Sequence, residues 1–210
     1  MKISKNAITR LSRYRQVLCR LKEIGLSRVV SNNLADAAEV SALQVRKDFS
    51  LYEIPGNKRG GYQVDVLIEK LDNILGKNEV QKAILIGAGK IGKALMEYKG
   101  FEKEGIKIFA AFDIDPETFD NTIPILPLEK LKEFVREHDI KLAIITVPAI
   151  AAQQATDIAV SAGIIGILNF APIRLRKSSN VVVNNVNLIL EIEKLIYWVN
   201  SLHTEKAEKA

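Results

Sequence analysis

Apolar residues near the start of the chain recur at helical spacing: Ile8, Leu11, Val17, Leu18, Leu21 and Ile24, with Gly25 placed to stop the helix. A short apolar piece, Val29-Val30, follows, and Ser31 or Asn32 stands where it would cap a brief helix through about Ala38. Ser41-Ala42-Leu43-Gln44 has the form of a capping box, in which the hydroxyl accepts from the third helical N–H and Gln44 reaches back. Val40 and Val45 flank it as a hydrophobic staple. A helix from Ala42 to Leu51 is therefore expected, with Val45, Phe49 and Tyr52 on one side and Gln44, Arg46, Lys47 and Ser50 facing outward. Glu53-Ile54-Pro55 and Tyr62-Gln63-Val64 read as short strands around a turn-rich loop. Asp65 is placed to cap an amphipathic helix (Val66, Leu67, Ile68, Leu71, Ile74, Leu75) that Gly76 closes, and residues 76–79 read as a joint between domains.

Beyond the joint the pattern changes to continuous apolar runs alternating with helical segments, as in a parallel sheet buried on both faces. Ala83–Ile86, Lys107–Phe112, Ile123–Ile125, Lys141–Val147 and Gly166–Phe170 read as strands. Helices are expected to about Tyr98, over Leu128–His138 and over Ala151–Ala162. Val181-Val182-Val183 leads to Asn184-Asn185-Val186-Asn187, a capped start for a last helix over Leu188–Leu202.

Charge separates the same two parts. Residues 1–79 hold 14 Lys and Arg against 9 Asp and Glu, whereas residues 80–210 hold 16 of each. This suits a segment that meets a polyanion joined to one that does not, although a solvated basic helix face gives the same count. No apolar run reaches the roughly 20 residues of a membrane helix, and the basic amino terminus has no apolar h-region, so neither membrane association nor a secretory signal is expected. Cys19 is the only cysteine, which leaves no internal disulfide and no thiolate metal site and fits a reducing cytoplasm. No metal is expected.

The helix at 42–51 has the chemistry of major-groove reading. Arg and Lys pair with guanine edges or phosphates, Gln with adenine, and Ser with either. Ser41, Gln44, Arg46, Lys47 and Ser50 are the expected contacts to double-stranded DNA, with Lys58, Arg59 and Gly60 in the basic loop that resembles a wing. An arginine at its tip suits a narrow, A·T-rich minor groove.

In the second part, Gly87-Ala88-Gly89-Lys90-Ile91-Gly92 follows a strand and opens a helix, the context a dinucleotide fingerprint requires. Gly87 suits the tight turn, Gly89 the approach of a pyrophosphate and Gly92 close helix–strand packing, with the helix amino terminus favouring the anion. Asp113, with Ile114 after it, stands 21 residues beyond Gly92, where a carboxylate takes ribose hydroxyls and repels a 2′-phosphate; NAD(H) is expected rather than NADP(H). Thr146-Val147-Pro148 and Asn169-Phe170 lie at strand carboxyl ends, where the nicotinamide half belongs. They bring no acid or base, and His138 and His203 sit elsewhere, so catalysis is not expected.

The last helix is apolar around most of its girth: Leu188, Ile192, Leu195, Val199 and Leu202 form a seam that Ile189, Leu190, Ile196, Tyr197 and Trp198 widen. Its second side is covered either by another subunit or by its own domain. A twofold dimer would present two reading heads to a palindrome.

Several strings resemble the redox-sensing repressor family Rex: Gln44–Asp48 (QVRKD), Gly87–Gly92 (GAGKIG), Tyr98–Phe101 (YKGF), Ala110–Pro116 (AAFDIDP), Ile145–Ala149 (ITVPA) and Gly166–Pro172 (GILNFAP). The likeness runs from about Ile3 to Trp198. It implies an α/β chain with an N-terminal winged-helix domain (1–79), a Rossmann-type parallel-sheet domain (80–186), a C-terminal dimerisation helix (187–203), exchanged between protomers, and a polar tail (204–210). It also implies a homodimer on palindromic operator DNA that NADH releases. By motif, Arg46 and Lys47 contact DNA, Arg10 a phosphate and Arg59 the wing's groove; Tyr98 senses the nicotinamide and Phe170 lies near its ring. Three departures stand out. Gln16 and Asn187 replace an arginine and an aspartate that take part in the family's exchange with the Tyr98 position, and the wing at Arg59–Tyr62 is one residue shorter. Alternatives at this point are a DNA-binding relative that holds NAD(H) as a structural ligand and an NAD-dependent dehydrogenase.

Overall fold

The computed structural model describes residues 4–54, 61–116 and 123–207, with side chains to 202. The expected contacts Lys58, Arg59 and Gly60 lie outside the described residues. The chain divides into two compact units, Met1–Glu79 and Val80–Ala210.

The first unit runs α1 (Lys5–Glu23), β1 (Arg28–Val29), α2 (Ser31–Ala37), α3 (Ala42–Leu51), β2 (Tyr62–Gln63) and α4 (Val64–Leu75). In α1, Ser4 accepts from the Ala7 N–H and the buried stripe is Ala7, Leu11, Tyr14 and Leu18. Ile8 and Ile24, expected on that stripe, are exposed, because Tyr14 shifts its centre. The helix ends in paired bonds, Gly25 N to Lys22 O and Leu26 N to Leu21 O, which satisfy its last carbonyls. Helix α2 includes Ser31 and is preceded by Val30 without a side-chain cap, so the expected Ser31 or Asn32 cap is not made. Likewise Asp65 does not cap α4; it lies in the first turn and pairs with Lys22 at 2.7 Å.

Strand β2 pairs antiparallel with β1, Arg28 opposite Gln63 and Val29 opposite Tyr62, whereas Glu53 and Ile54, expected in a short strand, belong to no strand. Ile54 is instead buried, its N–H bonded to the Phe49 carbonyl. Gly61 has φ +67°, and a Cβ there would meet the Val29 carbonyl oxygen at 2.5 Å, so only glycine lets the ribbon close. Behind the helices Tyr14, Phe49 and Tyr62 pack edge to face at 5.6 and 5.0 Å between ring centres.

The second unit runs β3 (Gln81–Ile86), α5 (Lys90–Glu97), α6 (Gly100–Lys103), β4 (Ile106–Asp113), β5 (Ile125–Pro127), a 3-10 turn at Leu128–Lys130, α7 (Leu131–His138), β6 (Leu142–Ile145), α8 (Ala149–Ser161), β7 (Gly166–Asn169), β8 (Val182–Asn185) and α9 (Leu188–Ala207). The strands are all parallel, in the order β5-β4-β3-β6-β7-β8. Numbered within the unit this is 3-2-1-4-5-6, the dinucleotide-binding order, with its switch point beside β3. Strand β8 is a sixth strand where the sequence suggested only a lead-in to the last helix, and β5 lies two residues later than expected. The central strands bury Ile84, Ile86, Ala110, Phe112, Ala143 and Ile145.

Helix α9 begins as expected: the Asn187 Oδ1 accepts from the N–H groups of Ile189 and Leu190. Its apolar residues Leu188, Ile192, Leu195, Trp198, Val199 and Leu202 are all exposed within this chain. Among the described residues no helix is long and apolar enough to cross a membrane.

Candidate nucleotide cleft and nucleic-acid interface

The glycine loop sits between β3 and α5, at the carboxyl end of the central strand. Gly87 adopts φ +102°, and a Cβ there would meet the Thr146 carbonyl carbon and the Val147 nitrogen at 2.9 Å, so the turn lies flat on the end of β6. A Cβ on Gly92 would meet the Gly87 carbonyl oxygen at 2.1 Å, which is the close packing of α5 on the loop. Gly89 differs: nothing lies within 4 Å of its missing Cβ, and it faces open space at the amino terminus of α5. The first N–H groups of that helix have no acceptor within it and favour an anion there.

Asp113 ends β4, next to β3, and its carboxylate spans the loop: Oδ2 accepts from the Ala88 N–H at 2.6 Å and Oδ1 from the Asp115 N–H at 3.1 Å. A cleft of about 240 Å³ opens beside it, lined by the expected Gly87, Gly89, Asp113, Ile114, Thr146, Val147 and Pro148. Its wall also includes Ile86 from β3 and, unassigned to the site by the sequence, Phe112, Leu128, Ala151, Gln154, Ala155 and Ile158. The last four are spaced i, i+3, i+4 and i+7 on α8, a stripe that was legible once the strand before it had been located. Ala88 and Lys90 join Lys93, Asp115 and Ile125 around an adjoining hollow, and Ile91 is exposed on α5. An apolar slot next to a carboxylate and an open glycine suits an adenosine with its ribose and pyrophosphate, so the residues present fit a dinucleotide.

The expected nicotinamide-side residues are more occupied. The Thr146 hydroxyl donates to the Gly87 carbonyl at 2.6 Å and so braces the loop. Asn169 is fully buried; its Nδ2 donates to the Ala171 and Ile173 carbonyls and to Asn185 Oδ1, and its Oδ1 accepts from the Ala171 N–H. That amide shapes the loop after β7 and joins it to β8. Tyr98 lies outside the cleft, exposed, edge-on to Phe101 at 5.2 Å, with Gly100 leaving room for its ring. Phe170 packs into the cluster of Leu85, Ile108, Ala111 and Ile144. His138 stacks on Phe134 at 4.0 Å.

In the first unit, Ser41 Oγ accepts from the Gln44 N–H at 3.1 Å, the expected first half of the capping box. The reciprocal half is absent because the Gln44 amide donates to Asp48 Oδ1 at 2.8 Å. Asp48, which the sequence reading left without a role, is buried and also accepts from Arg10 and Tyr14. Burial pushes the Asp48 carboxyl up, but the hydrogen bonds from Arg10, Tyr14 and Gln44 outweigh it and hold its pKa below the ordinary value. Arg10, expected on a phosphate, thus gives two N–H groups to the protein's own interior. Arg46, Lys47 and Ser50 are exposed on the opposite face of α3.

A capped helix with free cations and a sheet ending in a dinucleotide cradle define a DNA-binding regulator carrying a nucleotide-binding body. Residues 2–50 match the family described as "Putative DNA-binding protein N-terminus", and residues 78–173 match "CoA binding domain". The chain is 38% identical over 204 residues to the redox-sensing transcriptional repressor Rex of Lactobacillus acidophilus, covering 96% of this chain and 97% of that one. It is 40% identical over 200 residues to the Rex repressor of Desulforamulus reducens, with 94% and 95% covered. The crystal structure of RSP, a Rex-family repressor, superposes with a TM-score of 0.87 at 31% identity, covering all of both chains. RSP in complex with β-NAD⁺ and operator DNA gives 0.89 at 32% identity, covering 100% of this chain and 98% of that one. The chain belongs to the Rex family of redox-sensing transcriptional repressors.

Proposed function

We propose that this chain binds palindromic operator DNA as a homodimer and releases it when NADH fills the cleft beside Asp113. The observation that carries the reading is the open Gly89 between Gly87 and Gly92, next to the Asp113 carboxylate at the switch point of the sheet. In this reading residues 1–79 are the DNA-binding head and 80–186 the sensor. The relative RSP, solved with β-NADH and with β-NAD⁺ and operator DNA, supports both ligands.

Asp113 exchanges its bonds to the loop for ribose hydroxyls and turns away a 2′-phosphate. Gly89 and the start of α5 take the pyrophosphate, and the apolar slot takes adenine. When bound, the nicotinamide supplies the signal, a planar cation in one redox state and a neutral ring in the other. The domain acts as a sensor and not as an enzyme: the Thr146 hydroxyl and Asn169 amide are tied into the protein, so neither is left to give a proton at the ends of β6 and β7. The exposed girth of α9 supports the homodimer, and work on DNA in a chain with a single cysteine supports the cytoplasm.

DNA affinity measured against NADH at fixed NAD⁺ tests the reading. Affinity is expected to fall as NADH rises, and by linkage operator DNA must weaken NADH binding by the same factor. Unchanged affinity at saturating NADH would remove redox sensing. One observation favours a second reading, a DNA-binding relative with a weak switch: Gln16 is exposed and neutral, and Asn187 is neutral and engaged in capping α9. Aspartate caps as well as asparagine, so Gln16→Arg with Asn187→Asp keeps that cap, and a sharpened NADH response in this variant would support the second reading.

A further inference from the structure

The outward row of α3 begins with a leucine. Leu43, Arg46, Lys47 and Ser50 stand at i, i+3, i+4 and i+7, one face of an α-helix, and all four are exposed. Leu43 keeps 69% of its surface open, whereas Val45 two positions on keeps none. Gln44, the residue whose chemistry suits adenine, is held back by its bond to Asp48. A single exposed leucine is ordinary on a protein surface. Here its position matters, because it lies in the first turn of the helix, where reading helices reach base edges, and shares its row with two cations. In the major groove one base presents an apolar edge, thymine with its 5-methyl group.

We propose that Leu43 is a specificity-determining residue, whose side chain packs on a thymine methyl in each half-site and so reads that base by burial instead of by hydrogen bonding. This rests on α3 being the reading helix. Leu43 is exposed and is not part of the buried core of its unit, so removing it should leave the fold intact.

The test uses the full-length protein. Palindromic duplexes are selected from a randomised library, and each thymine is then replaced by deoxyuridine, which lacks only the methyl. The wild-type protein should lose about fourfold in affinity per half-site at one thymine position, the factor expected for one buried methyl-sized group. In Leu43→Ala operator affinity should fall and the thymine-to-uracil ratio at that position should approach one, while Arg46→Ala keeps the wild-type ratio. If Leu43→Ala retains the wild-type ratio at every thymine, Leu43 reads no methyl and the proposal is overturned. Failure to enrich any duplex would overturn both this proposal and the reading helix on which it depends.

Discussion

Arg10 grips Asp48 through two hydrogen bonds of 2.7 Å, one from Nε and one from Nη2, each to a different carboxylate oxygen. The pair joins α1 to the reading helix α3, with Tyr14 adding a third bond at 2.9 Å. Asp48→Ala leaves a guanidinium and a buried phenol without their acceptor. It should lower the unfolding free energy by about 3 kcal/mol, the low end for breaking a buried pair, because Arg10 keeps 24% of its side chain open to water. Urea denaturation of the full chain measures this, and a loss below about 1 kcal/mol would show that the pair does not hold the helix.

The same pairing makes Arg10 a positioning residue. Arg10→Gln should weaken operator binding while leaving the dependence of log affinity on log salt unchanged, because its charge is already matched by Asp48. Lys47→Ala should reduce that slope by about one phosphate's worth. A slope reduced by about one in Arg10→Gln would return Arg10 to the phosphate role the family resemblance implies.

Acid should act on this contact with a definite sign. The Asp48 pKa lies below its ordinary 3.8, so its contribution is complete above that value and is lost as pH falls through the folded-state pKa. Stability of the wild-type protein measured from pH 6 downward should therefore drop more steeply below about pH 4 than that of Asp48→Asn.

Two glycines of one motif should respond in opposite ways. Gly89→Ala meets nothing within 4 Å and should leave thermal stability unchanged while abolishing NADH binding. Gly92→Ala drives a Cβ into the Gly87 carbonyl and should lower stability by about 1–3 kcal/mol. Thermal melts without ligand, beside NADH fluorescence titrations, separate the two.

Leu195 lies on the exposed seam of α9. Leu195→Glu with Val199→Glu should convert a dimer to a monomer in sedimentation and take high-affinity operator binding with it. A wild-type chain that sediments as a monomer would end the dimer proposal.

What was legible in the sequence was local. The run Ala83–Ile86 into the glycine motif, the Ser41 cap and the Asn187 cap each depend on neighbours a few residues apart. What was hidden depended on distance along the chain. Asp48 looks like a surface residue until Arg10, 38 positions earlier, is brought against it. Tyr14 enters the core because its hydroxyl finds that carboxylate. Asn169 stands at a strand end, where a polar group suggests ligand binding, yet Asn185, 16 residues later, absorbs its amide. The partner of Tyr62–Gln63 could not be read locally, since β1 lies beyond two intervening helices.

That ribbon carries a consequence for how such a reader changes over time. Gly61 seats the returning chain on Val29, which fixes the register of β2 on β1 where the chain enters the strand. The face led by Leu43 lies on α3, outside that register, so a sequence preference altered there leaves the ribbon undisturbed.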